Sequence, residues 1–186
     1  ARMALGLGAE VTVLDKSIPR LEVLDDRYQG RMRTLFATAD AIEATVRESD
    51  LVIGAVLVPG AAAPRLVTRA MLAEMRPGSV LLDVAIDQGG CFETSRPTTH
   101  ADPTYVVDGI VHYGVANMPG AVARTSTQAL TNATLPFAIA LADKGWRQAL
   151  ADDPHFLAGL NVHAGQVAYR AVAEAFGLEA AEPQAL

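Results

Sequence analysis

Four short stretches place polar or conformationally free residues directly after apolar runs. They are Glu10-Val11-Thr12-Val13-Leu14-Asp15, Ile53-Gly54-Ala55-Val56-Leu57-Val58-Pro59-Gly60, Asp83-Val84-Ala85-Ile86-Asp87-Gln88-Gly89-Gly90 and Val115-Ala116-Asn117-Met118-Pro119. A carboxylate closing a strand can accept hydrogen bonds from ribose hydroxyls, and its charge disfavours an extra phosphate there. Glycine at a strand's carboxyl end lets a planar ligand lie against the backbone. An Asn side chain offers the donor and the acceptor that a carboxamide needs. A carboxylate before a glycine pair stands where the reactive end of a bound nicotinamide would lie.

Each of these groups also has an ordinary structural use. Asp15 can cap the turn before Pro19, and Pro59 with Gly60 can simply end a strand. Asp87 can bond its own loop backbone, and Asn117 can serve a plain turn before Pro119. Of the two carboxylates in the third stretch, Asp87 is the better functional candidate because Asp83 lies nearer the strand interior. Cys91 reads as a small buried hydrophobe, and His100, His112, His155 and His163 read as surface or packing residues. Ser126 lacks the Gly-x-Ser-x-Gly setting of a nucleophile.

The elements that must position these residues follow an alternation of β-rich and amphipathic runs up to about residue 115, the pattern of an α/β fold with a mainly parallel sheet. A helix tail at 1–7 stops at Gly8, and a strand at 10–14 precedes a helix opened by Pro19. A weaker strand spans 32–36, and Thr38 caps a helix to about Glu48. Two apolar strands, 50–55 and 79–85, are expected to be buried on both faces, with a helix from about 68 to 75 between them. Extended pieces follow at 105–107 and 111–115. After about Gly120 the pattern becomes helical: a long run at 125–142, then helices near Phe156 and from 167 to 176.

Composition narrows the function. A net charge of -6 without basic clusters argues against a nucleic-acid surface, where Lys and Arg must replace counterions. One cysteine and scattered histidines leave no disulfide framework and no zinc pattern, so no metal is expected. No stretch has the length of a membrane span, and a cytoplasmic location is expected.

Taken in order, the four stretches resemble the alanine dehydrogenase and pyridine nucleotide transhydrogenase family. The resemblance extends through Asp87-Gln88-Gly89-Gly90-Cys91, Ser95-Arg96-Pro97-Thr98-Thr99, Thr125-Ser126-Thr127, Leu130-Thr131-Asn132-Ala133-Thr134 and Gly145-Trp146. It implies a Rossmann-type doubly wound, mainly parallel sheet over residues 1–123, followed by a helical tail, 124–186, belonging to the substrate domain. It further implies NAD as cofactor and L-alanine and pyruvate as substrates, interconverted by oxidative deamination and its reverse. Asp87 would act at the reacting centre. Asp15 would hold the ribose with Arg20 nearby, Val56, Leu57 and Val84 would lie along the cofactor, and Asn117 and Met118 would flank the nicotinamide. The family forms hexamers.

The glycine fingerprint of such a fold should stand about 20 residues before Asp15, which is ahead of residue 1. The central strand of the sheet, between the strands ending at Asp15 and Ala55, is therefore expected upstream, as are the family's Lys and His. Activity is expected of a longer polypeptide. Alternatives are the nucleotide-binding part of a transhydrogenase alpha subunit, a 2-hydroxyacid dehydrogenase, which lacks its expected Arg and Glu-His pair here, and a catalytically silent NAD-binding fragment.

Overall fold

The computed structural model describes residues 1–60 and 62–182. Helix α1 (Arg2–Gly6) ends before Gly8, whose φ of +87° suits glycine at a helix exit. Strand β1 (Val11–Asp15) leads to α2 (Ile18–Tyr28), where Ser17 caps the N-terminus through its hydroxyl and Pro19 occupies the first turn. Strand β2 (Met32–Phe36) lies parallel to β1 in register Asp15 to Phe36. Thr38 then caps α3 (Ala39–Glu48), as its side-chain oxygen accepts from Ala41 N–H at 3.1 Å.

Strand β3 (Leu51–Gly54), helix α4 (Arg69–Leu72) and strand β4 (Val80–Asp83) follow. Beyond β4 the chain turns into a 3₁₀ helix, Val84–Gln88, closed by Gly89 in the left-handed region. Strands β5 (Thr104–Val107) and β6 (Ile110–Tyr113) form a hairpin across Asp108-Gly109, both at positive φ, the turn chemistry a two-residue hairpin prefers. The sheet order is β3-β4-β6-β5, parallel except for edge strand β5. β1 and β2 form a separate parallel ladder. The two ladders share no strand pairing among the described residues.

Burial of the second apolar strand agrees with its sequence: Leu81 and Asp83 are buried and Val80 and Leu82 are half-buried. The first does not, because Leu51 and Ile53 are each 49% exposed. Among the described residues β3 has a ladder partner on one edge alone, so an apolar run that reads as doubly covered is open on one side. Both strands are also shorter than expected, since Ala55 leaves the ladder and Val84 enters the 3₁₀ turn. The helix expected over 68–75 contracts to one turn, Arg69–Leu72.

Contacts divide the chain into two units, Ala1–Val56 with Pro64–Val115, and Leu57–Ala63 with Ala116–Leu186. In the second, Met118–Val122 forms a 3₁₀ turn before α5 (Ala123–Asp152). This helix runs through Pro136 and breaks direction at Gly145, where φ 73° and ψ 158° are outside the helical region. It is longer than the expected run and includes the Gly145-Trp146 pair. Helix α6 (Pro154–Leu157), a small hairpin of β7 (Val162–His163) and β8 (Gln166–Val167), and α7 (Arg170–Ala175) complete it. Val167, expected to open a helix to 176, lies instead in β8, and the helix is shorter; Ala164-Gly165, both at positive φ, is the hairpin's turn.

Candidate functional site

The carboxyl ends of the parallel strands carry the candidates. Asp15 closes β1 half-buried, and its Oδ1 accepts the backbone N–H of Ser17 at 2.8 Å. The turn-capping use of this residue is thus real, and it engages one oxygen of two. Arg20 stands exposed in the first turn of α2, its backbone N–H donating to the Ser17 carbonyl at 3.0 Å.

β3 and β4 end side by side, with Gly54 paired to Asp83. The residues that follow each end are therefore brought to one sheet edge: Val56, half-buried, after β3, and Val84, 49% exposed, after β4. Leu57 is 72% exposed. Asp87 is exposed on the 3₁₀ turn, and among the described residues its carboxylate shows no hydrogen bond to the loop backbone. In the second unit Asn117 adopts φ 65° and ψ 49°, a left-handed conformation that Asn tolerates better than most residues, and Met118 beside it is half-buried. The turn use of Asn117 also holds, since its carbonyl accepts Gly120 N–H at 2.9 Å.

Gly54 is glycine for packing reasons. A Cβ there would fall 2.2 Å from Cys91 Sγ and 2.7 Å from Phe92 Cζ. The loop after β4 folds back over the end of β3, and only a bare backbone leaves room for it.

That return is organised by Asp83, which is 2% exposed. Its Oδ2 accepts Cys91 N–H at 2.9 Å, Phe92 N–H at 3.4 Å and the Ser95 hydroxyl, and Oδ1 lies 3.5 Å from the Cys91 thiol. Burial and the Asp83 charge push the Cys91 thiol up to about 12. The cysteine is a packing residue, as its sequence context indicates.

Farther along, His112 on β6 is 2% exposed. Its Nδ1 lies 2.9 Å from the Ile110 carbonyl and its Nε2 lies 2.7 Å from Thr94 Oγ1. The carbonyl can only accept, so Nδ1 carries the proton and the Thr94 hydroxyl donates to Nε2. Tyr105 on β5 stacks on His112 at 4.9 Å, donates its hydroxyl to the Thr94 carbonyl and accepts Arg96 N–H, both at 2.8 Å. Sequence reasoning missed this network and the part played by Asp83. A signal for the latter was present, because an ionisable residue ending an apolar strand has to find donors if it is buried.

Parallel strands that deliver a carboxylate, a glycine and a glycine-rich loop to their carboxyl edge define a Rossmann-type nucleotide-binding fold. The chain belongs to the family described as "Alanine dehydrogenase/PNT, C-terminal domain", whose sequence profile matches residues 1–170. Alanine dehydrogenase of Halomonas elongata is 82% identical over 186 residues, all of this chain and 50% of that protein. Alanine dehydrogenase 2 of Staphylococcus aureus strain USA300 is 57% identical over 180 residues, 96% of this chain and 48% of that protein. The chain thus spans about half the length of these relatives. Among solved structures, an L-alanine dehydrogenase superposes with a TM-score of 0.82 at 50% identity, covering 95% of this chain and 48% of that one. A transhydrogenase from Sinorhizobium meliloti gives 0.58 at 29% identity over 67% of this chain and 36% of that one.

Proposed function

We propose that the chain is the cofactor-binding half of an NAD-dependent alanine dehydrogenase, which oxidises L-alanine with water to pyruvate and ammonium and runs the reverse amination. The observation that carries this reading is the 82% identity to an alanine dehydrogenase along the whole chain. The transhydrogenase reading is weaker because that likeness is more distant and covers less of the chain.

The donor set suits a nicotinamide dinucleotide. Asp15 keeps an oxygen beyond its Ser17 bond for ribose hydroxyls, and Arg20 stands one turn further on. Val56, Leu57 and Val84 offer apolar surface to planar rings, and Asn117 and Met118 suit the carboxamide end. Bound NAD supplies the hydride acceptor, so the protein's tasks are orientation and proton handling. Asp87 is the group we assign to the reacting centre, where a carboxylate orients the amine and stabilises positive charge on it. Residues 1–123 serve as the cofactor domain and 124–186 as the substrate-domain tail. A cytoplasmic homo-hexamer completes the proposal. It fits a chain with a single cysteine, Cys91, and an α5 whose Leu130, Leu135 and Ile139 are exposed.

The test is NADH formation by the native polypeptide. It should depend on L-alanine, and Asp87→Asn should lower turnover about 100-fold while leaving NADH binding intact. Alanine-independent behaviour would reject the assignment, and unchanged turnover in the variant would remove Asp87 from the mechanism.

A further inference from the structure

We infer that Asp83 is a positioning residue that acts through Asp87, an inference that rests on the role proposed for Asp87. One buried carboxylate reaches across the loop to Cys91 N–H, Phe92 N–H and the Ser95 hydroxyl. The chain from 83 to 91 is thereby closed into a ring, and Asp87 stands at its exposed side. Within the ring, Gly89 N–H donates to the Ile86 carbonyl and Gly90 N–H to the Ala85 carbonyl, each at 3.0 Å. Ala85 and Ile86 are buried, so the turn is pinned from beneath as well as at its ends.

Gly90 shows how closely the ring is drawn. At φ +79° a Cβ would meet Asp83 Oδ2 and Ser95 Cβ, both at 2.7 Å, so the carboxylate occupies the space a side chain would need. The donors are two backbone N–H groups, a hydroxyl and the Cys91 thiol, and none of them is a cation. The charge is held by dipoles fixed in the loop, which makes loop geometry and carboxylate interdependent. A positioning group works by holding the reacting centre to within fractions of an ångström, and its loss falls on turnover before binding.

The test uses Ser95→Ala, which removes one partly buried donor, together with Asp83→Asn, whose amide oxygen can still accept from the backbone. In the native polypeptide Ser95→Ala should lower kcat about 5- to 20-fold, with the NADH dissociation constant changed less than twofold. Asp83→Asn should retain turnover within about threefold, whereas Asp83→Ala should lose most of it. The deciding measurement is the double variant. If Asp83 and Ser95 act through Asp87, Ser95→Ala has no further effect in an Asp87→Asn background. Wild-type turnover in Ser95→Ala overturns the inference, as does a loss that simply multiplies with that of Asp87→Asn. Should Asp83→Ala fail to fold, the Ser95 cycle decides alone. Unchanged turnover in Asp87→Asn by itself refutes the role of Asp87, and this inference falls with it.

Discussion

The Thr94 hydroxyl donates to Nε2 of His112, 2.7 Å away, so a buried imidazole is held in one tautomer by a group at each nitrogen. Burial pushes its pKa below the ordinary 6.5, outweighing the Ile110 carbonyl and the charges of Asp108 and Asp83. Because the folded value is depressed, the unfolded chain takes the proton first as pH falls. Stability should be constant above about pH 6.5 and decline below it, until the native imidazole also titrates. Urea midpoints measured from pH 7.5 to 5 should show that slope, and His112→Asn should flatten it. An equal slope in the variant would assign the acid sensitivity elsewhere.

Cys91 should be inert in the folded state. With the thiol at about 12, the thiolate fraction at pH 8 is about one part in ten thousand. A maleimide should leave the native protein unlabelled over hours and modify one site per chain in guanidinium. Rapid native labelling would mean that the loop from Asp83 to Ser95 opens readily.

Gly54→Ala should destabilise the protein by about 1–3 kcal/mol, because the new methyl meets both Cys91 Sγ and the Phe92 ring. Pairing it with Cys91→Ala should recover part of that loss and leave the part due to Phe92. Thermal unfolding of the two single variants and the double variant would measure the coupling. Strict additivity would show that the glycine is needed for another reason.

Asp15→Ala should weaken NAD binding about tenfold or more, the worth of hydrogen bonds to a charged acceptor, and narrow the preference over NADP. Because Asp15 also accepts Ser17 N–H, a modest loss of stability should accompany it. Titration of both dinucleotides against the variant distinguishes the two effects. An unchanged NAD to NADP ratio would leave Asp15 with the turn alone.

Much of this architecture is legible because its signals are local. Gly8 after a helix tail, Pro19 in a first turn and Thr38 before an amphipathic run each commit the backbone within a few residues. The candidate site is legible for a related reason: strand ends can be located, and ligands gather beyond them. Interactions that join distant positions do not announce themselves in this way. Asp83 finds Ser95 twelve residues on, and His112 finds Thr94 on a different segment. The open flank of β3 is invisible for the opposite reason. Leu51-Val52-Ile53 has the composition of a doubly covered strand, and its exposure depends on what stands beside it.

The two unconnected ladders also bear on handling. β1 and β3 each carry a row of backbone donors and acceptors with no ladder partner among the described residues, flanked on β3 by exposed Leu51 and Ile53. Such edges pair readily with one another between molecules. A preparation of residues 1–186 alone should therefore cloud as its concentration rises, and a Lys placed at Ile53 should delay the onset by making the edge poor at recruiting a neighbour.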